Sequence, residues 1–217
     1  SPESEAAAAE MNAYFLQRIN HLRRNPNDHL LGQLVAIETE DGRLDDEELL
    51  SFCRLLLIAG NETTTGLITA SARIFHEEPQ TLAQIKQRPE LSGAFVEEAL
   101  RYYSPFSATV RRTTTDVELA GQTIGAGELV VPLIASANRD ERVFDAPDTF
   151  VMERSPNPHL GMGFGIHFCL GAHLARLEGK IVVEQMAERY AQVVLANPEK
   201  AAIGDLGGPK ELAVILG

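Results

Sequence analysis

The chain has 217 residues, with 31 Asp and Glu against 19 Lys and Arg, for a formal net charge of −12. That acidity argues against a nucleic-acid surface and keeps the chain soluble, and it leaves the fold open. The longest apolar runs are far too short to span a bilayer, the opening residues are not expected to be a signal peptide, and two cysteines far apart make no disulfide framework. The expectation is therefore no membrane partner, no nucleic-acid partner and a cytoplasmic, reducing compartment. The length suits one sizeable core, so residues 1–217 are expected to form a single domain.

In chain order, residues 1–5 read as a frayed start. From Glu5 to Arg24 the pattern is helical, with Met11, Phe15, Ile19 and Leu22 on one stripe. Asn25-Pro26-Asn27-Asp28 stops it and begins a shorter helix, about His29 to Ile37, and Glu40-Asp41-Gly42-Arg43 marks a turn. Asp45 then reads as an N-cap and Glu48 as the third helical residue, a capping box, with Leu44 and Leu49 placed as a hydrophobic staple.

That helix runs through Leu55-Leu56-Leu57-Ile58 into Ala59-Gly60-Asn61-Glu62-Thr63-Thr64-Thr65-Gly66 and resumes apolar at Leu67-Ile68, continuing to about Phe75. Its middle breaks local rules. Gly60 costs about 1 kcal/mol against Ala, and Glu62 sits between two apolar turns. Violations concentrated in one turn point to a site, because something must compensate them. Thr hydroxyls bonding back to carbonyls four residues earlier would also bend the helix. A solvated notch in an amphipathic helix fits the same residues. Asn61-Glu62-Thr63 also matches a glycosylation sequon, discounted because the chain lacks secretory features.

A short helix follows near Pro79 to Arg88, and another from Leu91 to Tyr103, ended by Ser104-Pro105. The second carries Glu98-Ala99-Leu100-Arg101, whose i, i+3 spacing puts carboxylate and guanidinium on one face; such a pair is commonly a surface salt bridge. From Ser107 the period changes. Ala108 to Arg112, Val117 to Leu119 and Glu128 to Ile134 read as strands separated by Gly121-Gln122 and Gly125-Ala126-Gly127. Ala137-Asn138-Arg139-Asp140 begins a short helix, and Phe144 to Leu160 is an irregular, Pro-containing run. Cys169 to about Tyr190 reads as a long helix, with closing strands at Val193-Val194 and Leu212 to Leu216. The expected class is mainly α with small β-sheets, α+β.

The stretch Met162-Gly163-Phe164-Gly165-Ile166-His167-Phe168-Cys169-Leu170-Gly171 is built to present a thiol. Cysteine ligates as thiolate, and a helix N-terminus lowers thiol pKa. Gly163, Gly165 and Gly171 remove Cβ atoms where backbone must pass close to something flat or bulky. Other readings remain open from the residues alone. A lone Cys is commonly a small buried hydrophobe. A phosphate cradle would want a third glycine and a preceding strand. A Cys–His nucleophile has His167 close by but no clear third member.

Ala59-Gly60-Asn61-Glu62-Thr63, then Glu98-x-x-Arg101, then Asn138-Arg139-Asp140, then Gly163-x-Gly165-x-His167-x-Cys169-x-Gly171, in that order, resembles the cytochrome P450 superfamily. Leu174-Ala175-Arg176-Leu177-Glu178 resembles its soluble bacterial members. The resemblance runs from about Glu5 to the end and implies the C-terminal, haem-binding portion of the P450 fold, without its N-terminal part. It implies a haem-thiolate monooxygenase, an oxidoreductase using haem b (iron protoporphyrin IX), dioxygen and a ferredoxin-type electron donor to hydroxylate or epoxidise a small organic substrate.

By that resemblance Cys169 is the metal ligand, and His167 and Arg111 pair the haem propionates. Ala59, Gly60, Met162, Gly163, Phe164, Gly171 and Ala175 border the cofactor. Glu62 and Thr63 are the acid–alcohol pair that delivers protons for dioxygen activation. Phe106, Ala108 and Thr109 line the substrate pocket with Ala59, and Glu98, Arg101 and Arg154 form a buried structural network. Met162 departs from the family, which usually has Phe there, seven residues before the cysteine; a thioether fills that space.

The chain also opens in what would be a mid-domain helix of the family, so the core is expected to expose a large apolar face. A fragment of a longer product, a complementing N-terminal chain or self-association would each account for that, and a fragment is the expectation. Two alternatives accompany the monooxygenase reading. One is a truncated fragment or assembly module without haem chemistry of its own; the other is a peroxygenase or isomerase on the same scaffold.

Overall fold

A computed structural model of the chain describes residues 2–39, 42–198 and 212–217. It separates into two compact units, residues 1–60 and 61–217.

In the first unit, α1 spans Pro2–Arg24 with Glu3 and Glu5 in its first turn and His21, Arg23 and Arg24 in its last. Those charges complement the helix dipole at both ends. Ile19 and Leu22 are its buried positions, as the stripe requires. α2 (Leu30–Ala36) follows a turn in which the Asn27 side chain accepts the His29 amide N–H at 3.2 Å. Strands β1 (Glu38–Thr39) and β2 (Gly42–Arg43) pair antiparallel. Glu40 and Asp41 of the expected turn lie outside the described residues.

α3 (Asp46–Glu77) starts in this unit and continues into the next. Its capping box forms as read: the Glu48 N–H donates to Asp45 Oδ1 at 2.8 Å, and the Asp45 N–H to Glu48 Oε2 at 2.9 Å. Leu49 and Cys53 are buried one turn apart. The rule-breaking middle stays helical throughout, Gly60 and the threonines included.

In the second unit, α4 (Gln80–Gln87), a 3₁₀ turn over Pro89–Leu91, and α5 (Ser92–Tyr102) follow α3. β3 (Arg111–Arg112) pairs with β6 (Leu129–Val130), and β4 (Val117–Leu119) with β5 (Gln122–Ile124), all antiparallel. The first and third expected strands are longer than those observed. β5 was not expected, although Ala120 and Gly121, both at positive φ, make the tight turn that pairs it with β4. α6 (Ile134–Ala137) ends where the expected helix was to begin. Its frame is shifted because the Asn138 N–H donates back to the Ile134 carbonyl at 2.9 Å, and the Asn138 side chain is taken by tertiary bonds described below.

Residues 144–160 are irregular as expected. α7 (Ala172–Arg189) begins three residues later than the sequence suggested, with Gly171 in the cap position. β7 (Val193–Leu195) and β8 (Val214–Leu216) close the chain as an antiparallel pair. Helices and small two-stranded sheets are thus the regular elements of the described residues.

The core of this unit gathers Leu67, Phe75, Phe95, Val96, Leu100, Met152, Met162 and Val183. Phe95 stacks on Phe75 at 4.9 Å between ring centroids and meets Phe150 edge-on at 5.4 Å. Gly179 on α7 lets α3 and α5 close in: a Cβ there would lie 2.7 Å from Leu67 Cδ2 and 3.3 Å from Val96. That crossing seats the cysteine helix.

Candidate functional site

The loop before α7 is a closed hairpin of backbone. The Cys169 N–H donates to the Met162 carbonyl at 2.8 Å, the Phe168 N–H to Gly165 at 3.0 Å, and the Ala172 N–H to the Cys169 carbonyl at 3.2 Å. Gly163 sits at φ +75°, and a Cβ on it would lie 2.8 Å from the His167 carbonyl oxygen, so glycine is required there. A 3₁₀ turn over Gly165–His167 carries the chain to Cys169.

Met162 is buried in the core, and Cys169 and Ala175 pack against it from partly buried positions. The other side is open: Phe164 is 83% exposed, Ile166 98% and Leu170 73%. Leu174, Leu177 and Ile181 extend this exposed apolar surface along α7, as the expected large apolar face requires.

These residues fit a planar apolar macrocycle carrying a metal. One soft sulfur donor stands on a shelf of exposed apolar side chains. Glycines leave the space clear: a Cβ on Gly165 would meet nothing within 4 Å, and one on Gly171 only Cys169 Sγ at 4.0 Å. Among the described residues, no three His, Cys, Asp or Glu side chains gather as a metal site.

Behind the loop lies a buried ionic network. Glu98 and Arg101 are both fully buried. Arg101 donates to Glu98 through Nε and Nη2, each at 2.8 Å, and Arg154 Nε donates to both carboxylate oxygens at 3.1 Å. The Val151 N–H and Asn157 Nδ2 complete the carboxylate's shell at 2.9 and 3.2 Å. Two guanidinium charges face one carboxylate, and backbone carbonyls take up the excess. Arg101 donates to the carbonyls of Asn138, Pro147 and Thr149, and Arg154 to those of Asp145, Ala146 and Thr149. The structure therefore brings Glu98, Arg101 and Arg154 together, and through them fixes the irregular 144–154 run.

Sequence reasoning gave no site role to several residues in the same region. Asn138 is fully buried; its Nδ2 donates to Ser104 Oγ at 2.8 Å and its Oδ1 accepts the Leu160 N–H at 2.7 Å. It joins the end of α5 to the limb that enters the cysteine loop. Glu97, next to Glu98, accepts Arg176 Nε at 2.6 Å and Nη2 at 2.9 Å, with His159 Nε2 at 3.1 Å. Burial pulls the Glu97 carboxyl up, but the His159 and Arg176 hydrogen bonds outweigh it and bring it down to about 2. The doubled Glu97-Glu98, and Arg176 in its motif, were the available signals; His159 had none.

On α3, Thr63 is half-buried and Glu62 exposed, in the turn before Thr64. Thr64 Oγ1 donates to Glu178 Oε2 on α7 at 3.1 Å, which ties this turn to the cysteine helix. Ala59 and Gly60 occupy the preceding turn of α3, exposed, within the first unit. Phe106 is exposed, and Ala108 and Thr109 are half-buried in a segment held to Pro132 by the Thr109 N–H at 3.0 Å. Arg111 is exposed and donates to Thr109 Oγ1 at 2.7 Å and to the Val110 carbonyl at 2.9 Å. His167 is exposed on the loop's 3₁₀ turn.

A cysteine loop at the edge of a helical core, with a buried Glu–Arg–Arg network fixing the run that leads into it, is what the structure shows, and comparison with known proteins gives the class. The Cytochrome P450 family model matches residues 67–201, and the chain belongs to that family.

A biotin biosynthesis cytochrome P450 of Bacillus subtilis (strain 168) is 41% identical over 197 residues, 91% of this chain and 50% of that protein. A vitamin D(3) 25-hydroxylase of Pseudonocardia autotrophica is 39% identical over 196 residues, covering 89% and 49%. Among solved structures, CYP109E1 from Bacillus megaterium in complex with testosterone superposes with a TM-score of 0.91 at 39% identity, over 99% of this chain and 60% of that one. P450BioI in complex with an acyl carrier protein ligated to hexadec-9Z-enoic acid gives 0.92 at 38%, over 100% and 56%. The chain spans about half the length of the curated relatives it matches. No described helix is long and apolar enough to cross a membrane.

Proposed function

We propose that this chain is the thiolate-bearing portion of a cytoplasmic haem monooxygenase. It would hydroxylate or epoxidise a small organic substrate with dioxygen and electrons from a ferredoxin-type donor. The observation that carries this reading is Cys169 held by its own backbone at the edge of the core, with open apolar surface around it.

Haem b bound there would supply the dioxygen chemistry, with thiolate electron density favouring O–O cleavage. The rest falls to the chain's own residues. Cys169 would hold the iron from the core side. His167 and Arg111, both exposed cations or donors, suit carboxylate groups at the macrocycle's rim. Met162, Gly163, Phe164, Gly171 and Ala175 would border the ring on the loop side. Thr63 would hold a proton at Oγ1, and Glu62, exposed at its carboxylate, would exchange that proton with solvent. Phe106, Ala108 and Thr109 would shape the substrate wall. The relatives' names, which include biotin biosynthesis and vitamin D(3) 25-hydroxylation, support a small organic molecule as the substrate.

The test uses the protein extended to its relatives' length, loaded with haem and supplied with a ferredoxin donor. Thr63→Ala is expected to lower product per electron consumed and raise hydrogen peroxide release. Unchanged coupling would remove Thr63 and Glu62 from proton delivery. Retained turnover in Cys169→Ala would sink the whole reading.

A further inference from the structure

Outside the residues assigned so far, one cluster touches both limbs of the cysteine loop. Glu97 on α5 takes Arg176, in the second turn of α7, by a two-point contact at 2.6 and 2.9 Å. The same carboxylate takes His159 Nε2 at 3.1 Å. His159 is almost wholly buried, and its Nδ1 accepts the Gly161 N–H at 3.1 Å, which puts the ring proton on Nε2, facing Glu97. Gly161 is itself pressed against α5: a Cβ there would lie 2.8 Å from the Leu100 carbonyl oxygen and 3.2 Å from His159 Nδ1. The next residue, Met162, accepts the Cys169 N–H.

We infer that Glu97 is a positioning residue for Cys169: it clamps the loop's entering limb through His159 and its exit through Arg176. One carboxylate on a rigid helix then sets the separation of the two limbs, and with it where the sulfur stands. The clamp also settles charge. Arg176's two bonds to Glu97 keep that cation paired at the loop's exit. The Glu98 network cannot do this, because the donors to Glu98 come from residues 151–157 and from α5 rather than from the loop's exit. The geometric claim stands on the structure alone; its consequence for a metal rests on the haem-thiolate reading.

Limb-specific hydrogen exchange on the full chain tests the clamp without any cofactor. His159→Gln should speed amide exchange at residues 160–163 roughly 10-fold while leaving the first turn of α7 unchanged. Arg176→Gln should do the reverse, and Glu97→Gln should loosen both limbs together. In each case the amides around Phe95 and Val96 should keep their protection. Uniform acceleration across α5 and α7, or none at either limb, would overturn the clamp. The single-limb variants carry the test if Glu97→Gln does not fold.

Haemin titration of the same proteins adds the second readout. Glu97→Gln should weaken haem binding by about 10-fold or more, as loss of an outer-shell partner does at metal sites, and wild-type affinity in a variant with both limbs loosened would refute the link to the ligand. If no form of the chain binds haemin while the exchange pattern appears, the clamp stands and the haem reading fails.

Discussion

Replacing Glu98 with alanine removes the anion at the centre of the buried network and leaves two guanidinium groups behind. Arg101 and Arg154 would keep their carbonyl acceptors but lose four short contacts to the carboxylate, and the Val151 N–H and Asn157 Nδ2 would lose their acceptor. Breaking a buried pair by removing one partner costs about 3–5 kcal/mol, because the remaining charge stays buried and uncompensated. Full burial of Glu98 and Arg101 places this site at the upper end of that range. Against a total stability of about 5–15 kcal/mol the loss is large. At about 2–4 °C per kcal/mol for a chain of this size, the melting temperature should fall by roughly 6–20 °C. Urea denaturation of the purified chain measures the free-energy loss and thermal melting the temperature shift, with Glu141→Ala, an exposed carboxylate, as the control. Glu98→Gln, which keeps volume and one acceptor, should cost less than Glu98→Ala. A loss below about 1 kcal/mol for Glu98→Ala would show that the carbonyls alone satisfy both arginines, and would refute the reasoning.

Glu97 gives a pH signature. Its folded carboxyl lies at about 2 against an ordinary 4.5, so its contribution to stability is complete above about pH 5 and fades as pH falls toward 2. The stability difference between wild type and Glu97→Gln should therefore shrink steadily through that window; a constant difference would remove Glu97's ionisation as the cause. Gly163→Ala should destabilise by at least about 1–2 kcal/mol, from the left-handed backbone alone, plus the close approach to His167; a neutral effect on thermal melting would contradict the loop geometry. Thr64→Val should cost about 1 kcal/mol by leaving the Glu178 contact unmade, and a double-variant cycle with Glu178→Gln should show the two effects to be non-additive.

Local chemistry made some of this readable from the sequence. The Asp45–Glu48 capping box forms at the expected residues because both partners lie within one turn and need nothing else. The long irregular run to Leu160 followed from its prolines. The Glu98–Arg101 spacing was visible too, but the tetrapeptide gives no sign that its face is buried; that depends on Val151, Arg154 and Asn157, more than fifty residues away.

The misses have the same origin. α6 sits one turn early because Asn138 spends its side chain on Ser104 and Leu160 rather than on starting a helix. α7 starts at Ala172 rather than Cys169 because residues 169–172 form a separate turn, the Ala172 N–H bonding the Cys169 carbonyl, and Gly171 is non-helical in the cap position. His159 carries no periodicity, so its place between Gly161 and Glu97 appears only once the loop is folded.

The most direct test of the haem-thiolate reading is the absorption spectrum of the reduced, carbon monoxide-bound chain after haem loading, beside Cys169→Ala. The account predicts a strongly red-shifted Soret band for the native chain that Cys169→Ala abolishes. A band at the ordinary histidine-ligated position, or an identical band in both proteins, would contradict it.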